Sequence, residues 1–121
     1  VGGAGRLERL GRQHRLWLIT NGDAELQRRK VRLAGLDTVM ERIFVSAEVG
    51  WAKPADRFYD HVEAEARRAG LRIALVIGDS VPKEIVPARA RGWPVALIGG
   101  SPDAGVPTYA RLADVRLPRN H

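Results

Sequence analysis

"IALVIGDSVPKEIVPARARGWPVALI", residues 73 to 98, decides how the chain is read. It opens on a continuous apolar run, turns polar at Gly78, Asp79 and Ser80, and closes on a second apolar run after Gly92 and Pro94. Short apolar runs bounded by turn residues fit strands covered on both faces. Strands are therefore expected at 73–77 and 94–98, with a helix from about Val81 to Arg91 stopped by Gly92. Pro82 suits the first turn of that helix. Pro87 falls inside it, where the missing N–H and the ring cost about 3 kcal/mol unless the helix bends.

The same alternation continues toward the N-terminus. Leu7 and Leu10 lie on one side of a first helix ending before Arg15, and "LWLIT" (16–20) is a further apolar strand, ended by "NGD". A helix follows from about Ala24 to Ala34 with Gly35 as its stop, then a shorter strand, "RIFVS" (42–46). After "GWAKP", Phe58, Val62, Ala66 and Ala69 recur at helical spacing from a start near Ala55, and Glu63 with Arg67 forms an i,i+4 pair. A "GGSPDAG" loop follows the last apolar run, and "ADVRL" (113–117) is a candidate short edge strand. Helices alternating with strands indicate an α/β protein with a mostly parallel sheet.

The 121 residues fit one domain. There is no cysteine, which excludes a disulfide framework, a thiolate metal site and a cysteine nucleophile. No apolar run reaches the length of about 20 residues that crosses a bilayer, so no membrane role and a cytoplasmic location are expected. The net charge of +6 would suit nucleic acid, but 17 of the 20 basic residues are Arg and they are scattered. Even Arg28, Arg29, Lys30 and Arg32 would point several ways on a helix, so no nucleic-acid partner is expected. His14, His61 and His121 lack metal-ligand spacing, Asp60 reads as helix surface, and "GGAG" lacks the strand that precedes a dinucleotide loop.

Ligands of open parallel sheets gather beyond the carboxyl ends of the strands. Three polar sequences stand there: "TNGD", "GWAKP" and "GDSVPKE". Thr20 and Asn21 offer a hydroxyl, an amide and backbone N–H groups suited to phosphate oxygens. Lys53 offers a positive charge, and Asp79 offers a hard oxygen for Mg²⁺. Together they would neutralise charge that moves in phosphoryl transfer. Each also has a plain structural reading. Thr20 and Asn21 can form a turn and cap, Lys53 a solvated side chain, Trp51 a partly buried loop residue, and Asp79 or Ser80 a helix N-cap.

In their order, "LWLITNG", "VGWAKPADRF" and "VIGDSVPKEIVPARARGW" resemble the second, third and fourth motifs of the haloacid dehalogenase-like hydrolase superfamily. These are mostly Mg²⁺-dependent phosphatases with an aspartate nucleophile, and the likeness covers roughly residues 5 to 100. It implies a Rossmann-like three-layer core. It also implies that Thr20, helped by the backbone near Asn21, binds the transferring phosphoryl group, and that Lys53 orients and neutralises nucleophile and phosphate. Asp79 would coordinate Mg²⁺, with Glu84 supporting the metal through water. Glu84 stands where Asp is more usual.

The family's first motif, an apolar strand ending in Asp-x-Asp, has no counterpart, because no two of the chain's aspartates are separated by one residue. The resemblance therefore implies a single partial core domain, with the central nucleophile strand and any cap domain upstream of Val1. The opening Val1-Gly2-Gly3-Ala4-Gly5 fits a chain entered partway along. Loss of a central strand would leave unpaired edges and favour self-association. The expected activity is hydrolysis of a small phosphorylated metabolite, with residues 1–121 alone inactive. The alternatives are a noncatalytic phosphate- or partner-binding domain and, less favoured because of Asp79 and Glu84, a haloacid dehalogenase.

Overall fold

The computed structural model describes residues 9–99 together with 108 and 109. The chain divides into two compact units, Val1–Phe58 and Tyr59–His121.

In the first unit, α1 is described over residues 9–13, followed by β1 (Trp17–Thr20), α2 (Ala24–Leu33), a 3₁₀ turn (Leu36–Thr38), β2 (Arg42–Val45) and α3 (Ser46–Val49). Strands β1 and β2 run parallel in register from Trp17 opposite Arg42 to Thr20 opposite Val45. The Trp17 and Phe44 rings lie 5.3 Å apart, and the Arg42 guanidinium sits 4.8 Å from the Phe44 centroid. Asp23 caps α2 by accepting the Leu26 N–H at 2.9 Å, and Gly35 ends it in the left-handed region, as expected from the sequence. Ser46 does not end a strand as expected. The ladder stops at Thr20 and Val45, and Ser46 instead opens α3 while its hydroxyl accepts the Gly22 N–H at 2.8 Å.

The unit boundary falls within α4 (Asp56–Arg68). Phe58, Val62 and Ala66 form its buried stripe, whereas Ala69 lies beyond the helix and is exposed. The Glu63–Arg67 pair forms at 4.0 Å.

The second unit continues with β3 (Val76–Gly78), a wide π-type turn (Val81–Ile85), α5 (Val86–Ala90), β4 (Val95–Ile98) and β5 (Thr108–Tyr109). These strands form a parallel sheet in the order β3-β4-β5. Ile85, Ala88, Val95 and Leu97 make its core, with Val76, Val81 and Trp93 packed against it. Strand β3 begins at Val76 rather than Ile73. The Val76 N–H donates to the Pro94 carbonyl at 2.9 Å, and Pro94 has no N–H to carry the ladder one step further back. Strand β5 was not anticipated, its two-residue ladder being too short to leave a pattern. The "ADVRL" segment and nearly all of "GGSPDAG" lie outside the described residues.

The expected coverage of the apolar strands on both faces holds only in part. Residues of β4 are mostly buried, but every residue of β1 and β3 is only half-buried. Among the described residues each of these two strands pairs along one edge only, β1 with β2 and β3 with β4. No helix among the described residues is long and apolar enough to cross a membrane.

Candidate functional site

The first unit brings Thr20, Asn21 and Lys53 together at the carboxyl end of β1. The Asn21 amide grips the Lys53 backbone in both directions: Nδ2 donates to the Lys53 carbonyl at 3.0 Å, and Oδ1 accepts the Lys53 N–H at 2.9 Å. The Lys53 ammonium points back along β1, 3.4 Å from the Ile19 carbonyl. Thr20 is half-buried, and its hydroxyl reaches the Asn21 carbonyl only at 3.5 Å, long for an O–H donor.

Two sequence expectations change here. The Asn21 amide fastens the lysine loop rather than facing outward, and the cap of the next helix is Asp23, not Thr20 or Asn21. The Gly22 N–H is taken by Ser46 and so is not an open anion donor. Trp51 is 46% exposed and carries the Arg57 guanidinium 5.3 Å from its ring centroid. It is a loop residue that keeps about half of its surface exposed, in line with the partial burial expected of it.

The second unit places Asp79 directly after β3, exposed at the strand's carboxyl end. The helix-capping reading of this acid does not hold. Ser80 is the cap, its hydroxyl accepting the Lys83 N–H at 3.3 Å. Glu84 completes a reciprocal arrangement, because its Oε1 accepts the Ser80 N–H at 3.2 Å. Glu84 is 5% exposed, and the chain makes room for its side chain at Gly78: a Cβ there would stand 2.6 Å from the Glu84 Cβ. The glycine before Asp79 is thus required by the packing of Glu84, a link that spacing alone does not reveal.

Magnesium favours one or two carboxylates completed by water and phosphate oxygens. Asp79 fits that demand because capping does not consume its carboxylate. Glu84 fits it indirectly, since one oxygen already serves Ser80. Among the described residues there is no group of three or more His, Cys, Asp or Glu arranged to hold a metal ion.

Sequence reasoning missed Tyr59. It is 1% exposed, and its hydroxyl donates to the Lys83 carbonyl at 2.6 Å. Burial, and after it the Glu84 carboxylate, push its phenol well above the usual tyrosine range, against a smaller opposing effect of Arg91. Arg91 lies 5.9 Å from the Tyr59 ring centroid and 5.6 Å from that of Trp93. It also donates to Asp60 at 2.8 Å and to Glu63 at 3.2 Å, so Asp60 is an ion-pair partner as well as helix surface.

No family model matches the chain. The Bacillus subtilis protein YfnB, which carries a HAD-hydrolase name, is 26% identical over 110 residues, 91% of this chain and 47% of YfnB. The crystal structure of YfnB bound to magnesium superposes with a TM-score of 0.81 at 23% identity, over 95% of this chain and 56% of that one. The pyrimidine 5′-nucleotidase YjjG of Escherichia coli is 29% identical over 72 residues, 60% of this chain and 32% of the nucleotidase. A 2-haloacid dehalogenase from Pseudomonas syringae superposes with a TM-score of 0.71 at 25% identity, over 90% of this chain and 47% of that one. The chain thus spans less than half the length of the curated relatives it matches.

Proposed function

From a chain that is homologous to the HAD-type hydrolases and shares their Rossmann-like α/β fold, we propose that it carries the phosphate-binding and metal-binding groups of a phosphate-monoester hydrolase. The observation that supports this most strongly is the pair of hydrogen bonds between the Asn21 amide and the Lys53 backbone, which holds the lysine loop at the end of β1 with the Lys53 ammonium 3.4 Å from the Ile19 carbonyl. In this reading Thr20 donates to a phosphoryl oxygen, and Lys53 offsets charge on the phosphoryl group and on the attacking carboxylate. Asp79, supported by Glu84, holds Mg²⁺, which when bound neutralises charge gathering on the phosphoryl oxygens.

In this reading the nucleophile is an aspartate supplied from outside residues 1–121. Its carboxylate oxygen attacks phosphorus, the ester P–O bond breaks with the leaving oxygen taking a proton, and water then releases phosphate from the acyl phosphate. Residues 1–121 alone bind but do not turn over. The relative named as a pyrimidine 5′-nucleotidase supports a small phosphorylated metabolite as substrate.

The test is phosphate release by the natural full-length protein from a panel of small phosphate monoesters, with Lys53→Met and Thr20→Val beside the wild type. Turnover by the wild type and a loss of about a hundredfold or more in Lys53→Met are expected. Wild-type turnover unaffected by either substitution contradicts the assignment.

A further inference from the structure

Pro87 removes the N–H that would donate to the carbonyl of Lys83 in a regular α-helix. The fold answers this twice within one unit. The turn before α5 widens: the Ile85 N–H reaches the Ser80 carbonyl at 3.3 Å and the Val86 N–H reaches that of Val81, both five residues back. The Lys83 carbonyl then receives the Tyr59 hydroxyl at 2.6 Å.

The widened turn is the one that carries Glu84. With Glu84 Oε1 on the Ser80 N–H and its Cβ against Gly78, small changes in the turn's register move both the glutamate and the backbone that follows Asp79. Insertions of this wide kind inside helices often occur at functional sites. The Arg91 guanidinium lies 5.9 Å from the Tyr59 ring centroid, its side chain 16% exposed and paired to Asp60 and Glu63.

We infer that Tyr59 is a positioning residue for the acidic turn: by bonding the carbonyl that Pro87 leaves open, it keeps the wide register that sets Glu84 and steadies Asp79 for a divalent cation. This rests on the reading that Asp79 and Glu84 form the metal end of the site. In this role Tyr59 acts through the Lys83 carbonyl.

The test is calorimetric titration of Mg²⁺ alone into the full-length wild type, Tyr59→Phe, Pro87→Ala and Asp79→Asn, with melting temperatures measured beside it. Tyr59→Phe keeps the ring and loses the bond, and its Mg²⁺ Kd is expected to rise about tenfold in a protein that still folds. Pro87→Ala returns an N–H to the Lys83 carbonyl, favours the regular helical register, and weakens Mg²⁺ in the same direction. The second variant keeps the question open to measurement if the first does not fold. A merely structural tyrosine lowers the melting temperature and leaves the Kd alone. An unchanged Kd in both variants, with binding lost in Asp79→Asn, overturns the positioning role and leaves the proposed function standing. Wild-type Mg²⁺ binding by Asp79→Asn overturns both.

Discussion

Asn21 and Lys53 hold each other through a closed pair of hydrogen bonds, amide to carbonyl at 3.0 Å and N–H to amide at 2.9 Å, across 32 positions of sequence. The asparagine thereby contributes to the site through its partner's backbone. Asn21→Ala removes both of these bonds to the Lys53 backbone. A loss of about 1–3 kcal/mol in fixing the loop is expected, read as a fall of about ten- to a hundredfold in kcat/KM of the full-length protein, milder than that of Lys53→Met. Equal activity in Asn21→Ala and wild type excludes the clamp as a positioning device.

Gly78 is the second sensitive point. An added Cβ meets Glu84 atoms at 2.6 to 2.8 Å, and Glu84 is buried against Ser80. Overpacking of this kind costs about 1–3 kcal/mol. Gly78→Ala is expected to lower the denaturant midpoint by a corresponding amount and to weaken Mg²⁺ binding with it. A variant with unchanged stability and binding shows that Glu84 can move freely.

Much of the fold was legible because its signals are local. Apolar runs, Gly35 and the spacing of Phe58, Val62 and Ala66 placed most elements close to their observed bounds. What escaped depends on partners distant in sequence. The start of β3 is set by Pro94 on the neighbouring strand, the answer to Pro87 is Tyr59, and the fixing of Lys53 belongs to Asn21. For the site, motif order singled out Thr20, Asn21, Lys53, Asp79 and Glu84. The division of labour between Asp79 and Ser80 needed coordinates, because either residue satisfies a capping pattern. The half-buried state of β1 and β3 could not be read from their apolar composition, which is the same as that of a covered strand.

Tyr59 makes stability depend on alkaline pH. Its native pKa is raised, so its contribution is complete below the ordinary tyrosine value of about 10 and is lost as pH rises from there toward the native value. Comparing unfolding midpoints of the full-length wild type and Tyr59→Phe at about pH 8 and about pH 11 isolates this effect, since other groups titrate in both. The wild type should lose more stability over the interval. Equal losses contradict the assigned burial of the phenol.

Among the described residues β1 and β3 each pair along one edge only, and self-association of residues 1–121 produced alone is expected from this. Sedimentation across a concentration series should show species that grow with concentration. A soluble monomer with cooperative unfolding shows instead that the edges are covered without a further strand.

In the proposed function, Asp79 is the metal carboxylate of a Mg²⁺-dependent phosphate-ester hydrolase. Steady-state phosphate release by the full-length protein, measured against Mg²⁺ concentration for wild type and Asp79→Asn, tests it most directly. Turnover is expected to saturate with Mg²⁺, to disappear on chelation and to be lost in Asp79→Asn. Phosphate release that is independent of Mg²⁺, or undiminished in Asp79→Asn, contradicts it.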